Sequence, residues 1–504
     1  MSKKFLACFF GIAIVAVPVL AAESSDTLFA TSPVRNYNLT FYSTTWQSEL
    51  KANYEADSGY VLAKFSDGTT TLDSVGIRYK GNSSYADSPF PKKPLKIKFN
   101  EFVSGQKYYG VKVLNFSNGY GDPTFLREKI AYDIARQYMP APRANYANIS
   151  FNDTLIGLYT QVEQEDKIFI GNWFENDSMN LFKAGDGGGS LQYGGSDPTY
   201  YSDSIGYELK TNEDANDWSG FIKFVYAMDS IADTNFCDVS STYLDETNVT
   251  KFLAFNMVMS HFDSYTGSAR NYYMYQLSDD GLMYFLPWDM NLTFGGYSNG
   301  WDVYEQDPVS INNLSRRPLN RKVLACDSLR YRYLAWIREM VNGYAATDSV
   351  QKAIDTLSAL IRSSVEADTN KFYSIGAFDS NQTAIYVASS TEIIPGLIEF
   401  SQYRDSVLLS KVASALPDEY ILPVVATQKN SSLAIGREGR HWILSGMENL
   451  GHCRVEWFQV SGRRSGIQRY DGSRGALVLD LPTGLILLRV TSAGQSQVFT
   501  LQNR

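Results

Sequence analysis

Three side chains near the middle of this 504-residue chain have the types and spacing to do chemistry. Asp263 lies in His261-Phe262-Asp263-Ser264-Tyr265, Asn271 opens Asn271-Tyr272-Tyr273, and Asp289 lies in Phe285-Leu286-Pro287-Trp288-Asp289-Met290-Asn291. Each stands at the end of an apolar, aromatic run that reads as a strand. A carboxylate is costly beside a packed core unless a cation, a metal or a proton-transfer task compensates it. Asp263 is the better candidate base, a carboxylate placed to accept a hydroxyl proton. Asn271 and Asp289 are hard oxygen donors of the kind magnesium prefers. The competing reading is structural, because Asp and Asn also make turns, and Asp279-Asp280-Gly281 is such a turn. His261 is expected to brace the loop that carries Asp263 rather than to catalyse. Trp288 either packs the site or stacks on a base.

An anion site is expected upstream. In Gly76-Ile77-Arg78-Tyr79-Lys80-Gly81-Asn82-Ser83-Ser84 the two-residue period of a strand puts Arg78 and Lys80 on one face, and Gly81 permits a turn whose amides suit phosphate oxygens. The next strand repeats the device: Lys96 and Lys98 share a face while Leu95, Ile97 and Phe99 point inward. Lys80 and Lys98 are the expected phosphate-binding lysines, a solvated basic face being the alternative. Glu128, early in a helix, is the carboxylate expected to position a buried lysine; compensation of the helix dipole would also put an acid there. Val162-Glu163-Gln164-Glu165-Asp166-Lys167 reads as a hinge against a nucleotide base or as a charged loop.

The elements that must hold these groups follow from periodicity. Residues 37–42, 60–65, 75–80 and 95–99 alternate as strands. Leu126, Ile130, Ile134 and Tyr138 recur at helical spacing before Pro140 and Pro142. Residues 146–151 and 156–162 read as a hairpin across Asn152-Asp153. Residues around 186–190 read as a flexible polar insertion. Residues 248–260 form an apolar helix running into His261, and 319–409 are mainly helical. Strands followed by helices predict an α+β main domain at 35–416. Beyond a linker at 417–430, short strands with glycine turns predict a small β-sandwich at 431–504.

Composition narrows the class. A formal net charge of −9 with no basic tract argues against a nucleic-acid partner. Lys3, Lys4, the apolar run 5–20 and small residues near Ala21 read as a signal peptide at 1–21. That run is short for a membrane span, which takes about 20 residues, so no transmembrane segment is expected in the mature chain. Removing it leaves Cys237, Cys326 and Cys453, too sparse for a disulfide framework, with a Cys237–Cys326 bridge left open.

Several ordered motifs resemble the CotH kinase family: Arg78 to Ser84, Leu126 to Asp133, Met139-Pro140-Ala141-Pro142-Arg143, Gly157-Leu158-Tyr159, Val162 to Lys167, Asp263-Ser264-Tyr265, Asn271-Tyr272-Tyr273 and Pro287-Trp288-Asp289. The order His-x-Asp, Asn, Asp is also that of protein kinases, at wider spacing. The resemblance implies an atypical protein-kinase-like main domain with a mainly helical C-terminal half. It implies transfer of the γ-phosphoryl group of ATP to Ser/Thr hydroxyls of a protein, with Mg2+ or Mn2+. Asp263 would be catalytic, Asp289 and Asn271 metal ligands, and Lys80, Lys98 and Glu128 the nucleotide-binding set. Asn291 stands where relatives carry a second acid. The C-terminal strands resemble type nine secretion sorting domains through Ser461-Gly462-Arg463, Leu481-Pro482-Thr483-Gly484 and Leu488-Arg489-Val490. That implies a secreted or cell-surface protein that meets the secretion machinery through its C-terminal domain. The alternative is a non-catalytic adhesion or scaffold protein that uses the kinase-like fold to bind a ligand.

Overall fold

The computed structural model describes residues 25–185, 188–279, 281–389, 392–417, 420 and 422. In the C-terminal section it describes 434–438, 441–445, 452–459, 464–471, 477–479, 481, 484–492 and 495–503. The expected signal peptide, most of the expected linker, Asp280, Ser461-Gly462-Arg463, Pro482 and Thr483 lie outside the described residues, as do residues 186 and 187 of the expected insertion.

Seven strands form the first unit: β1 (Arg35–Phe41), β2 (Val61–Ser66), β3 (Thr71–Tyr79), β4 (Leu95–Lys98), β5 (Val113–Ser117), β6 (Ala144–Phe151) and β7 (Thr154–Glu163). They close into a barrel in the order β1-β2-β3-β4-β5-β7-β6, sealed by parallel pairing of β1 with β6. Inward side chains such as Leu39, Phe65, Val75, Ile77, Leu95, Ile97, Leu114 and Phe116 fill one core. The alternation read from the sequence therefore holds: Ile77, Tyr79, Leu95 and Ile97 are buried while Arg78, Lys96 and Lys98 stand on the other face. The register sets Arg78 opposite Lys96, and Lys98 opposite Gly76.

A second sheet has the order β11-β10-β8-β9, from β8 (Leu181–Ala184), β9 (Tyr207–Leu209), β10 (Tyr272–Gln276) and β11 (Met283–Pro287). The chain passes to it from β7 through Gln164-Glu165-Asp166. Asp166 then caps the Lys167–Trp173 helix, accepting hydrogen bonds from the amides of Ile168 (2.8 Å) and Phe169 (3.1 Å). Helices Ser219–Ser230, Asp233–Tyr243 and Glu246–Val258 lie between the strands of this sheet in sequence, and from Pro318 to Ala415 helices dominate. The content is mixed, as an α+β reading expects. β5 and β8 escaped the periodicity reading because their burial does not alternate: three consecutive residues of β5 and the first two of β8 are buried.

Cys237 and Cys326 form a disulfide, joining the Asp233–Tyr243 helix to the end of the Pro318–Ala325 helix. The C-terminal strands make a three-stranded and a four-stranded sheet. Leu444, Val455, Leu477, Leu479, Leu481, Leu488 and Val490 form a hydrophobic cluster of their own. Among the described residues no helix is long and apolar enough to cross a membrane.

Candidate active site

The Arg127–Ala135 helix presents Glu128 and Tyr132, one turn apart, on a single face. Its start is pinned by Arg127, which is fully buried and donates to Asp122 (2.8 Å), to Asn381 (3.0 Å) and to the Pro395 carbonyl. Asp122 also accepts from the Arg127 amide at 2.9 Å and the Thr124 hydroxyl at 2.6 Å. Glu128 accepts a hydrogen bond from Ser117 of β5 at 3.2 Å, so the helix is laid against the barrel. The Tyr132 hydroxyl accepts from the Asp289 amide at 3.1 Å, tying the same helix to the end of β11.

Asp263 and Asn271 are brought together by a tight loop. After the Glu246–Val258 helix, the His261 amide donates to Asn256 (2.8 Å) and the His261 carbonyl accepts from Ser264 (2.6 Å). Burial pushes the His261 imidazole down to about 4, which keeps it neutral, and the two hydrogen bonds that shape the loop are made by its main chain. Gly267 is required where the loop returns, because a Cβ there would fall 1.9 Å from the Phe262 carbonyl oxygen. The Asn271 side-chain amide donates both to the Asp263 carbonyl (2.8 Å) and to its carboxylate (3.0 Å). This directs the amide nitrogen at Asp263 and turns the carboxamide oxygen away from it. The Asn271 carbonyl accepts from the Trp288 amide at 3.3 Å, which sets Asp289 beside this pair. Asn271 (φ 59°) and Asp289 (φ 55°) both occupy the left-handed region, uncommon for residues other than glycine and concentrated at functional sites.

Electrostatics shows how closely these groups converge. Burial, then Asp289, raises Glu128, and Lys80 opposes both. Burial lowers Lys80, while Asp289 and then Glu128 support its charge. The Lys80 ammonium also lies 5.4 Å from the Trp288 ring centroid. Asp263 is raised to about 6, first by burial and also by Asp289. Asp289 thus acts on both Glu128 and Asp263, and with Glu128 it supports the charge of Lys80. Asp289 and the Asn271 carboxamide form a donor set that fits a divalent cation keeping waters and substrate oxygens in its shell. Among the described residues no three His, Cys, Asp or Glu side chains form a metal cage.

Of the residues expected from sequence, Lys80, Glu128, Asp263, Asn271 and Asp289 meet. Lys98 does not join them. It pairs with Glu101 at 2.7 Å and lies 5.3 Å from the Tyr60 ring centroid, across from Gly76. For Lys96, two residues earlier on the same face, Lys80 is the strongest of the charges that act on it. Lys183 of β8, paired with Glu208 at 3.0 Å, adds a charge that acts on Lys80 and on Lys96. Its strand was not legible, although Leu181-Phe182-Lys183-Ala184 is a short apolar run with one cation. Glu165, in the expected hinge, is buried, and burial holds its carboxyl well above the usual range. The ordered set of motifs is matched by a family model described as CotH kinase protein over residues 77–408, about two-thirds of the chain. The chain belongs to the CotH kinase protein family. Among curated proteins it is similar to inner spore coat protein H of Bacillus subtilis (strain 168), with 23% identity over 313 residues. That match covers 62% of this chain and 83% of that protein. The CotH match contains every residue of the convergent set, from Lys80 to Asp289, as well as the barrel strands β4 to β7.

Proposed function

We propose that this CotH family member is a phosphotransferase that moves the γ-phosphoryl group of ATP to Ser/Thr hydroxyls of a protein. What supports the reading is that Asp289 acts on Lys80, Glu128 and Asp263, and that Asn271 is hydrogen-bonded to Asp263, although these residues come from separate segments of the chain. Asp263 takes the proton of the acceptor hydroxyl as its oxygen attacks the γ-phosphorus, and the bond from that phosphorus to the β,γ-bridging oxygen breaks to release ADP. A carboxylate raised to about 6 is ionised at neutral pH yet more basic than an ordinary aspartate, which suits that task. Asn271 orients Asp263 through its two hydrogen bonds. Lys80, held by Glu128 and Asp289, faces the phosphate charge. Asp289 and Asn271 would hold a divalent metal. Bound there, magnesium or manganese supplies charge neutralisation on the phosphates. We assign the domain at 35–416 to this activity and a kinase-like architecture to it.

Export is part of the proposal. It rests on the leader pattern at 1–21, on the sorting-domain pattern of the C-terminal strands, and on the Cys237–Cys326 bridge, which suits an oxidising compartment. The deciding experiment measures transfer of labelled phosphate from ATP to a generic protein acceptor, with and without magnesium or manganese. Asp289→Ala should lose metal-dependent nucleotide binding. Asp263→Asn should keep binding and lose transfer by about 10²–10⁴-fold. Full transfer in both variants would refute the assignment.

A further inference from the structure

A pocket on the barrel lies apart from the residues that the proposed chemistry uses. It encloses about 680 Å³, inside the range of roughly 300–1,000 Å³ that small-molecule sites occupy. Ser48 and Lys51 line it from the Trp46–Glu55 helix, Tyr79 from the end of β3, and Tyr85, Phe90 and Lys93 from the segment between β3 and β4. None of Lys80, Glu128, Asp263, Asn271 and Asp289 lines it. Strand alternation explains the separation. Tyr79 packs with the barrel core, so Lys80, the next residue, faces the other way.

The lining is built before any ligand arrives. Tyr85 stacks on Tyr54 with ring centroids 3.5 Å apart, and the Lys93 ammonium lies 4.6 Å from the Tyr85 centroid. Lys93 donates to the carbonyls of Tyr85 and Ser88, both at 2.6 Å, which uses two of its three ammonium protons. Lys51 adds a second cation, in an exposed pair with Glu55 at 3.6 Å. Among the described residues no carboxylate lines the pocket. Phe90 leaves 54% of its surface in water. Tyr79 is buried, and its hydroxyl has no hydrogen-bond partner among the described residues. Such a hydroxyl costs free energy until a partner reaches it.

Rings, hydroxyls and unmatched cations together select a ligand. A purely apolar molecule leaves the hydroxyls and ammoniums unpaired, and a small inorganic anion leaves the rings unused. We infer that this pocket binds a uronic acid residue of an acidic oligosaccharide. The C–H face of the sugar lies on the aromatic rings, its hydroxyls pair with Ser48 and Tyr79, and its carboxylate meets Lys93. The site is separate from the phosphotransferase reading and does not depend on it.

The test titrates the full chain with tetragalacturonate by calorimetry, using the fully methyl-esterified tetrasaccharide and magnesium ATP for comparison. Wild type should bind tetragalacturonate and bind the ester about tenfold more weakly, because the ester carries no charge for the lysines. Phe90→Ala, at an exposed position, should weaken tetragalacturonate by about fivefold or more. Tyr79→Phe should weaken it by about threefold to tenfold and yet melt no lower than wild type, since it removes an unpaired buried hydroxyl. Lys93→Met should weaken tetragalacturonate and leave the ester nearly unchanged. Saturating magnesium ATP should not displace the sugar. No binding by wild type, or equal binding of acid and ester, would overturn the inference. Wild-type affinity in both Phe90→Ala and Tyr79→Phe would place the sugar elsewhere and refute the pocket. Displacement by ATP would make the pocket part of the nucleotide site and refute a separate sugar site.

Discussion

Replacing Asp368 by asparagine probes the contact that locks the helical half onto the barrel. Asp368 follows the Thr347–Ala367 helix, and its carboxylate accepts from the Lys92 ammonium, from the Leu158 amide of β7 at 3.0 Å and from the Asn370 amide at 2.9 Å. Both side chains of the ion pair are 0% exposed, and the Lys92 ammonium lies 4.6 Å from the Phe125 ring centroid. Asparagine keeps an acceptor but strands the ammonium in an apolar site. An exposed pair would be worth about 0–1 kcal/mol, whereas breaking one partner of a buried pair costs about 3–5 kcal/mol. The expected loss is in the second range. Its pH dependence follows from Lys92, which burial lowers to about 8 even with Asp368 present. Its folded value lies below the unfolded one, so its penalty is complete below the folded value and fades as pH rises toward the unfolded value. Losing the carboxylate lowers the folded value further. The gap between variant and wild type should therefore narrow as pH rises from about 6 to about 8. Urea unfolding followed by circular dichroism at both pH values measures this. The double variant Lys92→Met/Asp368→Asn should recover much of the loss, since no buried charge remains. A loss below about 1 kcal/mol, or no recovery in the double variant, would refute the reasoning.

Gly157→Ala should destabilise through the same contact, because its Cβ would lie 2.4 Å from the Asp368 carboxylate at a backbone φ of +149°; thermal melting reports it. Lys98→Ala should change ATP affinity by less than about threefold by calorimetry, since its charge is engaged with Glu101 outside the cleft. Cys326→Ser should lower stability by roughly 4–5 kcal/mol in chemical denaturation, because the bridge closes a separation of 89 residues. Deleting residues from 431 onward should leave nucleotide binding unchanged by calorimetry and, on the export proposal, should abolish delivery of the protein to the cell surface, followed by cell fractionation. Collapse of the main domain on truncation would show that the C-terminal strands are integral to it.

Much of the local structure was legible because it depends on neighbours in the chain. Period-two alternation placed Ile77 and Tyr79, then Leu95 and Ile97, in the barrel core and their basic neighbours outside. Helical spacing from Leu126 to Ile134 located the helix that carries Glu128, and motif order singled out Asp263, Asn271 and Asp289. What alternation could not decide was which lysine on a shared face meets the site. Lys96 and Lys98 have the same period and residue type, and only the register against Arg78 and Gly76, with the second sheet beyond, separates them. Lys183 was hidden because its four-residue strand has meaning only when paired with β9 and β10. The Cys237–Cys326 bridge and the Lys92–Asp368 pair join residues 89 and 276 positions apart. Such pairings depend on how whole elements pack. Local sequence thus determined which groups can do the chemistry and which way each strand and helix faces them. The closing of the barrel and the seating of the helical half decided which of those groups meet.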